Sequence, residues 1–247
     1  MSRAVLITGA SSGIGEALAY EFARRGYRLA VLARRVAALQ ELEIALRAAG
    51  SPQVVVHALD LRDPAEIEPA LSACAEMLGG LDIVVANAGI APRTPVGSGT
   101  LADLQETIAV DLTGACATVD AAVRHFRARG GGQVVGITSI ARYRGLPNFG
   151  AYSAAKEGLH RYLQALRAES WHEQITVTEL APGYIDTPLN RAVRSRPFVI
   201  DVETGARLMA DLIERRVAYA TVPALPWRIA GRLLQLLPTR LLAPRRP

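Results

Sequence analysis

Near-continuous apolar runs constrain this chain most: AVLIT (4–8), RLAVLA (28–33), QVVVHAL (53–59), DIVVAN (82–87), GQVVGITS (132–139), ITVTELA (175–181) and YATV (219–222). They do not alternate between apolar and polar residues, so both faces of each strand are covered. Longer amphipathic stretches separate them. That combination predicts a parallel sheet wrapped by helices on both sides. Local punctuation agrees. Asp63-Pro64 followed by Glu66 reads as an N-cap, an N1 proline and a capping-box acid. Gly26 and Gly50 stand where helices should stop. No internal repeat and no linker divides the run. The expectation is one doubly wound α/β domain over residues 1–223, followed by a helical tail over 224–247.

Composition narrows the function classes. The chain has 247 residues, 50% hydrophobic and 21% charged, enough for a sizeable core. A formal charge of +5 and a pI near 9.6 suit an anionic ligand. The 28 basic residues are mostly interleaved with 23 acidic ones, and aromatics make up only 5%. With no nucleic-acid motif and little material for base stacking, no nucleic-acid partner is expected. Cys74 and Cys116 have no CxxC spacing and read as small core residues of a reduced, cytoplasmic protein. His57, His125, His160 and His172 form no metal-ligand pattern, so no metal is expected. The N-terminus runs straight into a strand and shows no signal-peptide pattern. No apolar stretch reaches the ~18 residues of a spanning helix.

The first strand leads into TGASSGIG, Thr8 to Gly15. Gly9, Gly13 and Gly15 permit a tight turn and a close backbone approach. The next helix offers unpaired N–H groups and a positive dipole end to a pyrophosphate. A glycine loop placed between the first strand and the first helix marks a Rossmann-type dinucleotide site. Further on, Tyr152 and Lys156 in AYSAAKEGLH stand one helical turn apart and share a face.

Taken in order, TGASSGIG, Asn87-Ala88-Gly89, Ser139, YSAAK (152–156) and Pro182-Gly183 resemble the motifs of the classical short-chain dehydrogenases/reductases. The resemblance spans about residues 4–190. It implies a nicotinamide cofactor seated on Gly9, Ser11, Ser12, Gly13, Ile14 and Gly15. It also implies that Asp60 and Leu61 touch the adenine edge and that Asn87, Ala88 and Gly89 lie beside the adenine ribose. Pro182, Gly183, Ile185 and Thr187 would also contact the cofactor, with Thr187 closing on the carboxamide and phosphates. The second strand ends in Ala33-Arg34-Arg35, where an NAD enzyme usually places a carboxylate for the ribose hydroxyl. A guanidinium binds a 2′-phosphate bidentately, so Arg34 and Arg35, with the Ser11 hydroxyl, point to NADP(H).

The resemblance also assigns chemistry. Tyr152 would be the general acid/base, and Lys156 would lower its pKa and hold the nicotinamide ribose. Ser139, thirteen residues before Tyr152, would hold the substrate oxygen. Asp111, in AVDLTG, stands where the family commonly has an asparagine that supports a water chain from the lysine. An ionised carboxylate accepts but cannot donate, so a supporting role is expected. Ile90, Ala141, Tyr143, Leu146, Phe149, Tyr184 and Leu189 are the candidate substrate pocket, with Arg142 and Arg144 turned to solvent. That pocket fits an apolar ketone, aldehyde or secondary alcohol. Residues 187–201 read as a lid. Two alternatives share these motifs: a 3-oxoacyl-carrier-protein reductase and a non-catalytic NADP-binding regulatory protein.

Helices near 101–128 and 150–170 are expected to pair copies into a homodimer or homotetramer, as is common in the family. The tail carries Trp227, Ile229, Ala230, Leu233, Leu234, Leu236 and Leu237 with Arg228, Arg232, Gln235 and Arg240 interspersed. This gives a helix with an apolar face, broken at Pro238. Packing on the domain or on a partner subunit is the first expectation. Peripheral membrane contact, with Trp227 at the boundary, is the second.

Overall fold

The computed structural model describes residues 2–191, 193 and 195–243. Among them, strands β1 (Ala4–Thr8), β2 (Arg28–Ala33), β3 (Val54–Ala58), β4 (Ile83–Ala86), β5 (Gly132–Ile137), β6 (Ile175–Pro182) and β7 (Tyr219–Val222) form one parallel sheet. The order is β3-β2-β1-β4-β5-β6-β7, so the winding direction reverses between β1 and β4. This is the doubly wound Rossmann-type fold that the strand pattern predicts. Crevices at such reversal points, beyond the strands' C-terminal ends, are where ligands bind in open α/β sheets.

Alternation within each strand feeds two cores. From β1, Ala4 and Leu6 face one side while Val5 and Ile7 face the other. The first side is covered by α3 (Ile67–Leu78), α5 (Ala115–Arg129) and α6 (Gly150–Glu169). The second is covered by α1 (Gly13–Arg24), α2 (Val36–Ala48) and α7 (Val202–Glu214). Both faces are thus dry, which is why the strands read as near-continuous apolar runs. Helix ends follow their local chemistry. Asp63 accepts from the Ala65 N–H at 3.1 Å and opens the turn that enters α3. Gly26 (φ +74°) and Gly50 (φ +116°) lie just past the ends of α1 and α2.

The stretch from 101 to 129 is not one regular helix. Between α4 (Leu101–Ile108) and α5 lies a π-helical segment, Ala109–Gly114. A π turn inserts an extra residue and rotates the rest of the helix relative to its start. Gly114 is needed here, since a Cβ would lie 2.5 Å from the Leu61 carbonyl oxygen.

The tail forms α8 (Ala224–Leu236), with a non-helical Leu225, and then a short 3-10 turn over Thr239–Leu241. It lies on its own domain. The Trp227 ring covers Gly183, where a Cβ would collide with the indole nitrogen. Tyr143 packs against Gly231 in the same way. Arg144 donates to the Gln235 carbonyl at 3.0 Å and to Thr239 Oγ1 at 2.9 Å. The basic end, Arg245 and Arg246, lies outside the described residues.

Two arginines therefore differ from their expected solvent positions. Arg144 is a clamp on the C-terminal end of α8, where free carbonyls favour a cation. The Arg142 side chain is buried, 3.2 Å from Glu179 and stacked 4.3 Å from the Tyr143 ring centroid. An ion partner and two aromatic faces offset the loss of water.

Phe22, in α1, is fully buried and meets Tyr27 edge to face at 5.0 Å. Phe22→Ala should cost about 3–5 kcal/mol, because the surrounding cluster cannot collapse into the space. Urea unfolding measures this, and a loss below ~1 kcal/mol would show that the site relaxes.

Candidate active site

The β1–α1 loop and the end of β4 meet at the reversal point. Gly9 (φ +69°) lies so close to Ala88 that a Cβ would be 2.7 Å from the Ala88 Cα. A Cβ on Gly15 would be 2.5 Å from both Asn87 Nδ2 and the Gly9 carbonyl oxygen. Asn87 locks the contact by donating to the Thr8 carbonyl at 2.8 Å. Its backbone N–H reaches Thr8 Oγ1 at 3.1 Å. The glycines are therefore required by backbone proximity. Ser12 precedes α1 and makes no side-chain cap bond, which leaves the first-turn N–H groups without a side-chain partner. Thr187 closes on the other side of the loop, 3.4 Å from where a Gly13 Cβ would stand.

A cavity of about 530 Å³ opens above these ends. Gly9, Ser11, Ser12, Gly13 and Ile14 line one wall. Asn87, Ala88 and Gly89 line the floor, with Pro182, Gly183, Ile185 and Thr187 opposite. Gly15, expected to contact a cofactor, instead stands behind the loop and lets α1 approach the strand ends.

One end of the cavity is rich in guanidinium groups. Arg35 donates to the Ser11 carbonyl at 3.0 Å and to Ser11 Oγ at 3.1 Å. Arg34 reaches Glu106 at 3.3 Å across the rim. Asp60 and Leu61 line the same end. Arg62 holds Asp60 at 2.5 Å and keeps its carboxyl below the usual range. Sequence reasoning missed Arg62 and Glu106. The Asp60-x-Arg62 spacing after β3 was a readable signal, but the arrival of Glu106 depends on how α4 packs.

At the inner end stand Ser139, Tyr152 and Lys156. Ser139 ends the loop after β5, and its Oγ accepts the Ala141 N–H at 3.1 Å, capping the turn over Ile140–Tyr143. Tyr152 and Lys156 come from the first turns of α6, with the ammonium 5.6 Å from the phenol ring centroid. Lys156 is the only lysine in the sequence; every other side-chain cation of the Lys/Arg class is arginine. It is buried, donates to the Ile137 carbonyl at 3.3 Å, and pairs with Asp111 at 3.2 Å. The π segment carries Asp111, whose other oxygen accepts the Ile90 N–H at 2.7 Å. Asp111 is itself fully buried and does not line the cavity.

The electrostatics differ from the sequence expectation. Burial pushes the Tyr152 phenol above its ordinary value; Lys156 pulls it down, Asp111 pushes it up, and the Ser139 hydroxyl favours the phenolate. The net direction is upward, because burial is the largest influence and the Asp111 carboxylate adds to it against the lysine. Burial opposes the charge on Lys156 most strongly, but Asp111 and Tyr152 together outweigh it and hold the ammonium above its usual pKa. Burial likewise raises the Asp111 carboxyl, against the pull of Lys156 and the Ile90 N–H.

Beyond the phenol the wall is apolar. Ile90, Ala141, Leu146, Phe149, Tyr184 and Leu189 all line it. Tyr143 does not, because its hydroxyl bonds to the Tyr219 hydroxyl and its ring packs on the tail. Asn190 also borders the cavity and was missed. Its amide donates to the Ile185 carbonyl at 2.7 Å, while Arg196 bridges Asp186 at 2.5 Å and Asn190 at 3.1 Å. The segment after Thr187 is thus tied down by polar contacts that its irregular sequence does not advertise. Residues 192 and 194 of the expected lid lie outside the described residues.

A family model described as short chain dehydrogenase matches residues 3–197, and the chain belongs to that family of oxidoreductases. An uncharacterised oxidoreductase of Mycobacterium tuberculosis is 36% identical over 239 residues, covering 96% of this chain and 94% of that protein. An alcohol dehydrogenase from the archaeon Thermococcus sibiricus, solved with 5-hydroxy-NADP, aligns with a TM-score of 0.81 at 28% identity. The alignment covers 90% of this chain and 96% of that one. A short chain dehydrogenase/reductase from Burkholderia phymatum, solved with NAD, gives 0.86 at 21% identity over 100% of this chain and 97% of that one. At that identity the likeness is one of fold.

Asp111→Asn removes the charge that offsets Lys156. The Tyr152 phenolate should then form at lower pH. The near-ultraviolet tyrosinate absorbance lost on Tyr152→Phe, measured across a pH titration in the wild-type and Asp111→Asn backgrounds, reads this directly. An unchanged or higher midpoint would show that Asp111 does not set the phenol's proton affinity.

Proposed function

We propose that this protein is an NADP(H)-dependent oxidoreductase that moves a hydride between the nicotinamide and a carbonyl or secondary alcohol of an apolar small molecule. The observation that carries the reading is the convergence of Ser139, Tyr152 and Lys156 at the inner end of one cavity whose other end is lined by arginines.

The residues present fit a dinucleotide. Uncapped N–H groups at the start of α1 suit the pyrophosphate. Arg34 and Arg35 suit a 2′-phosphate, and Ala33 at the strand end leaves no carboxylate to repel it. Arg34 is half-exposed and its pair with Glu106 is long, so the bond costs little to exchange for a phosphate. The Thermococcus enzyme, solved with an NADP derivative, agrees with this choice; the fold itself accepts either dinucleotide.

The nicotinamide, when bound, supplies or accepts the hydride. Ser139 holds the substrate oxygen beside the phenol. In the reducing direction the Tyr152 O–H donates its proton to the developing alkoxide, and Lys156 stabilises the phenolate left behind. Asp111 and the Ile137 carbonyl hold the lysine in place. In the oxidising direction the phenolate takes the alcohol proton. Because burial and Asp111 raise the phenol's pKa, reduction should persist toward alkaline pH, while oxidation should rise only there. Ile90, Leu146, Phe149 and Leu189 exclude water and favour an apolar substrate.

Tyr152→Phe removes only the transferable proton. Turnover should fall by about 10²–10⁴-fold, with dinucleotide affinity kept. Assays with NADPH and a panel of apolar ketones, beside a binding titration, check both halves, and wild-type-like turnover would sink the assignment.

Arg34→Asp replaces a phosphate donor with a ribose acceptor. Preference should move from NADPH toward NADH by about 10–100-fold in kcat/KM. A wild type that already favours NADH would refute the reading of Ala33-Arg34-Arg35.

A further inference from the structure

The tail has two unlike faces. The inner one is fixed to the domain through Trp227 on Gly183, Gly231 under Tyr143, and the Arg144 clamp. The outer one bears Leu225, Ile229, Leu233, Leu236 and Leu241, each 56–80% exposed. Ile229, Leu233 and Leu236 fall within about 60° of arc on a helix of 3.6 residues per turn, so they form a continuous stripe. Arg228 and Arg232 are exposed along its flank, and Arg240 follows in the next turn.

We propose that this outer face of the tail docks on the surface of an anionic lipid bilayer, with the leucine and isoleucine stripe at the acyl boundary and the arginines among the headgroups. Charge distribution selects that occupant. Residues 224–247 hold five arginines and no acidic residue, so the chain's whole +5 formal charge resides there. The preceding 223 residues are neutral overall, with 23 basic and 23 acidic side chains. An apolar stripe flanked by arginines matches an interfacial helix on anionic lipid. A second copy of the chain matches it poorly, because a two-fold contact through this face sets the same arginines against each other.

The docked side corrects one detail of the sequence reading. Trp227 is buried, and its ring meets Tyr184 at 6.0 Å and Phe198 at 5.7 Å, so it anchors the tail to the domain and not to lipid. Tyr184 lines the cavity, so the tail borders the site on one side and faces the bilayer on the other. The lipid contact does not depend on which cofactor or substrate the cavity takes.

Flotation of the full chain with vesicles of phosphatidylcholine, with and without phosphatidylserine, tests this. The protein should float only with phosphatidylserine present and should be released by high salt. Ile229→Glu/Leu233→Glu changes exposed side chains only, and should reduce the floating fraction at least tenfold while melting and turnover stay as in the wild type. Arg228→Ala/Arg232→Ala should weaken binding without touching the stripe. Wild-type protein that stays unbound at low salt with phosphatidylserine would overturn the proposal, as would a double glutamate variant that floats normally. Light scattering closes the remaining route: if the glutamate pair splits a lipid-free oligomer, the face joins copies of the chain and the proposal fails.

Discussion

A buried ion pair ties this structure together. Lys156 and Asp111 meet 3.2 Å apart with almost no exposure to water. Either charge alone would be costly in that position, and removing one partner of such a pair strands the other. The groups around the pair come from everywhere in the fold: the Ile137 carbonyl from β5, the Ile90 N–H after β4, the lysine from α6, and the carboxylate from the π segment. Gly89 passes directly over them, where a Cβ would stand 2.8 Å from Asp111 and 3.1 Å from Lys156. Holding this pair therefore fixes the relative placement of two strands, two helices and the loop between them. Those same elements set the position of the phenol.

A second buried network connects that centre to the tail. Glu179 on β6 accepts from Thr138 Oγ1 at 2.9 Å, lies 2.8 Å from His160 Nδ1 and pairs with Arg142 at 3.2 Å. Arg142 belongs to the short turn that Ser139 caps, and its guanidinium lies between Tyr143 and Tyr219. Tyr143 in turn packs on Gly231 of α8. Ser139, the buried glutamate and the tail thus share one turn, so the tail's packing reaches the candidate site through a few contiguous contacts.

What the sequence disclosed was local or periodic. The strand runs, the glycine loop and the Tyr152–Lys156 spacing are short-range patterns with a mechanical meaning, and the fold places them as expected. What it withheld depended on distant partners. Arg142 reads as a surface residue because nothing nearby in sequence reveals Glu179 or the two tyrosines that make its burial tolerable. Tyr143 lies between cavity-lining neighbours, and only the tail explains why it turns away. The π turn carries no composition signal, though it directs Asp111 inward. The proton affinity of Tyr152 is hidden for a related reason: the lysine is legible, but burial, the largest influence on the phenol, exists only once the chain has folded.

The solitary lysine has a practical side. This protein builds its cationic surface from guanidinium groups, and the ε-amine of Lys156 is enclosed. Reagents that acylate or reductively alkylate amines therefore find one side-chain target, and it is reached only through the cavity. Lysine-directed cross-linkers have no purchase on the exterior. A small amine-reactive probe becomes a gauge of cavity access.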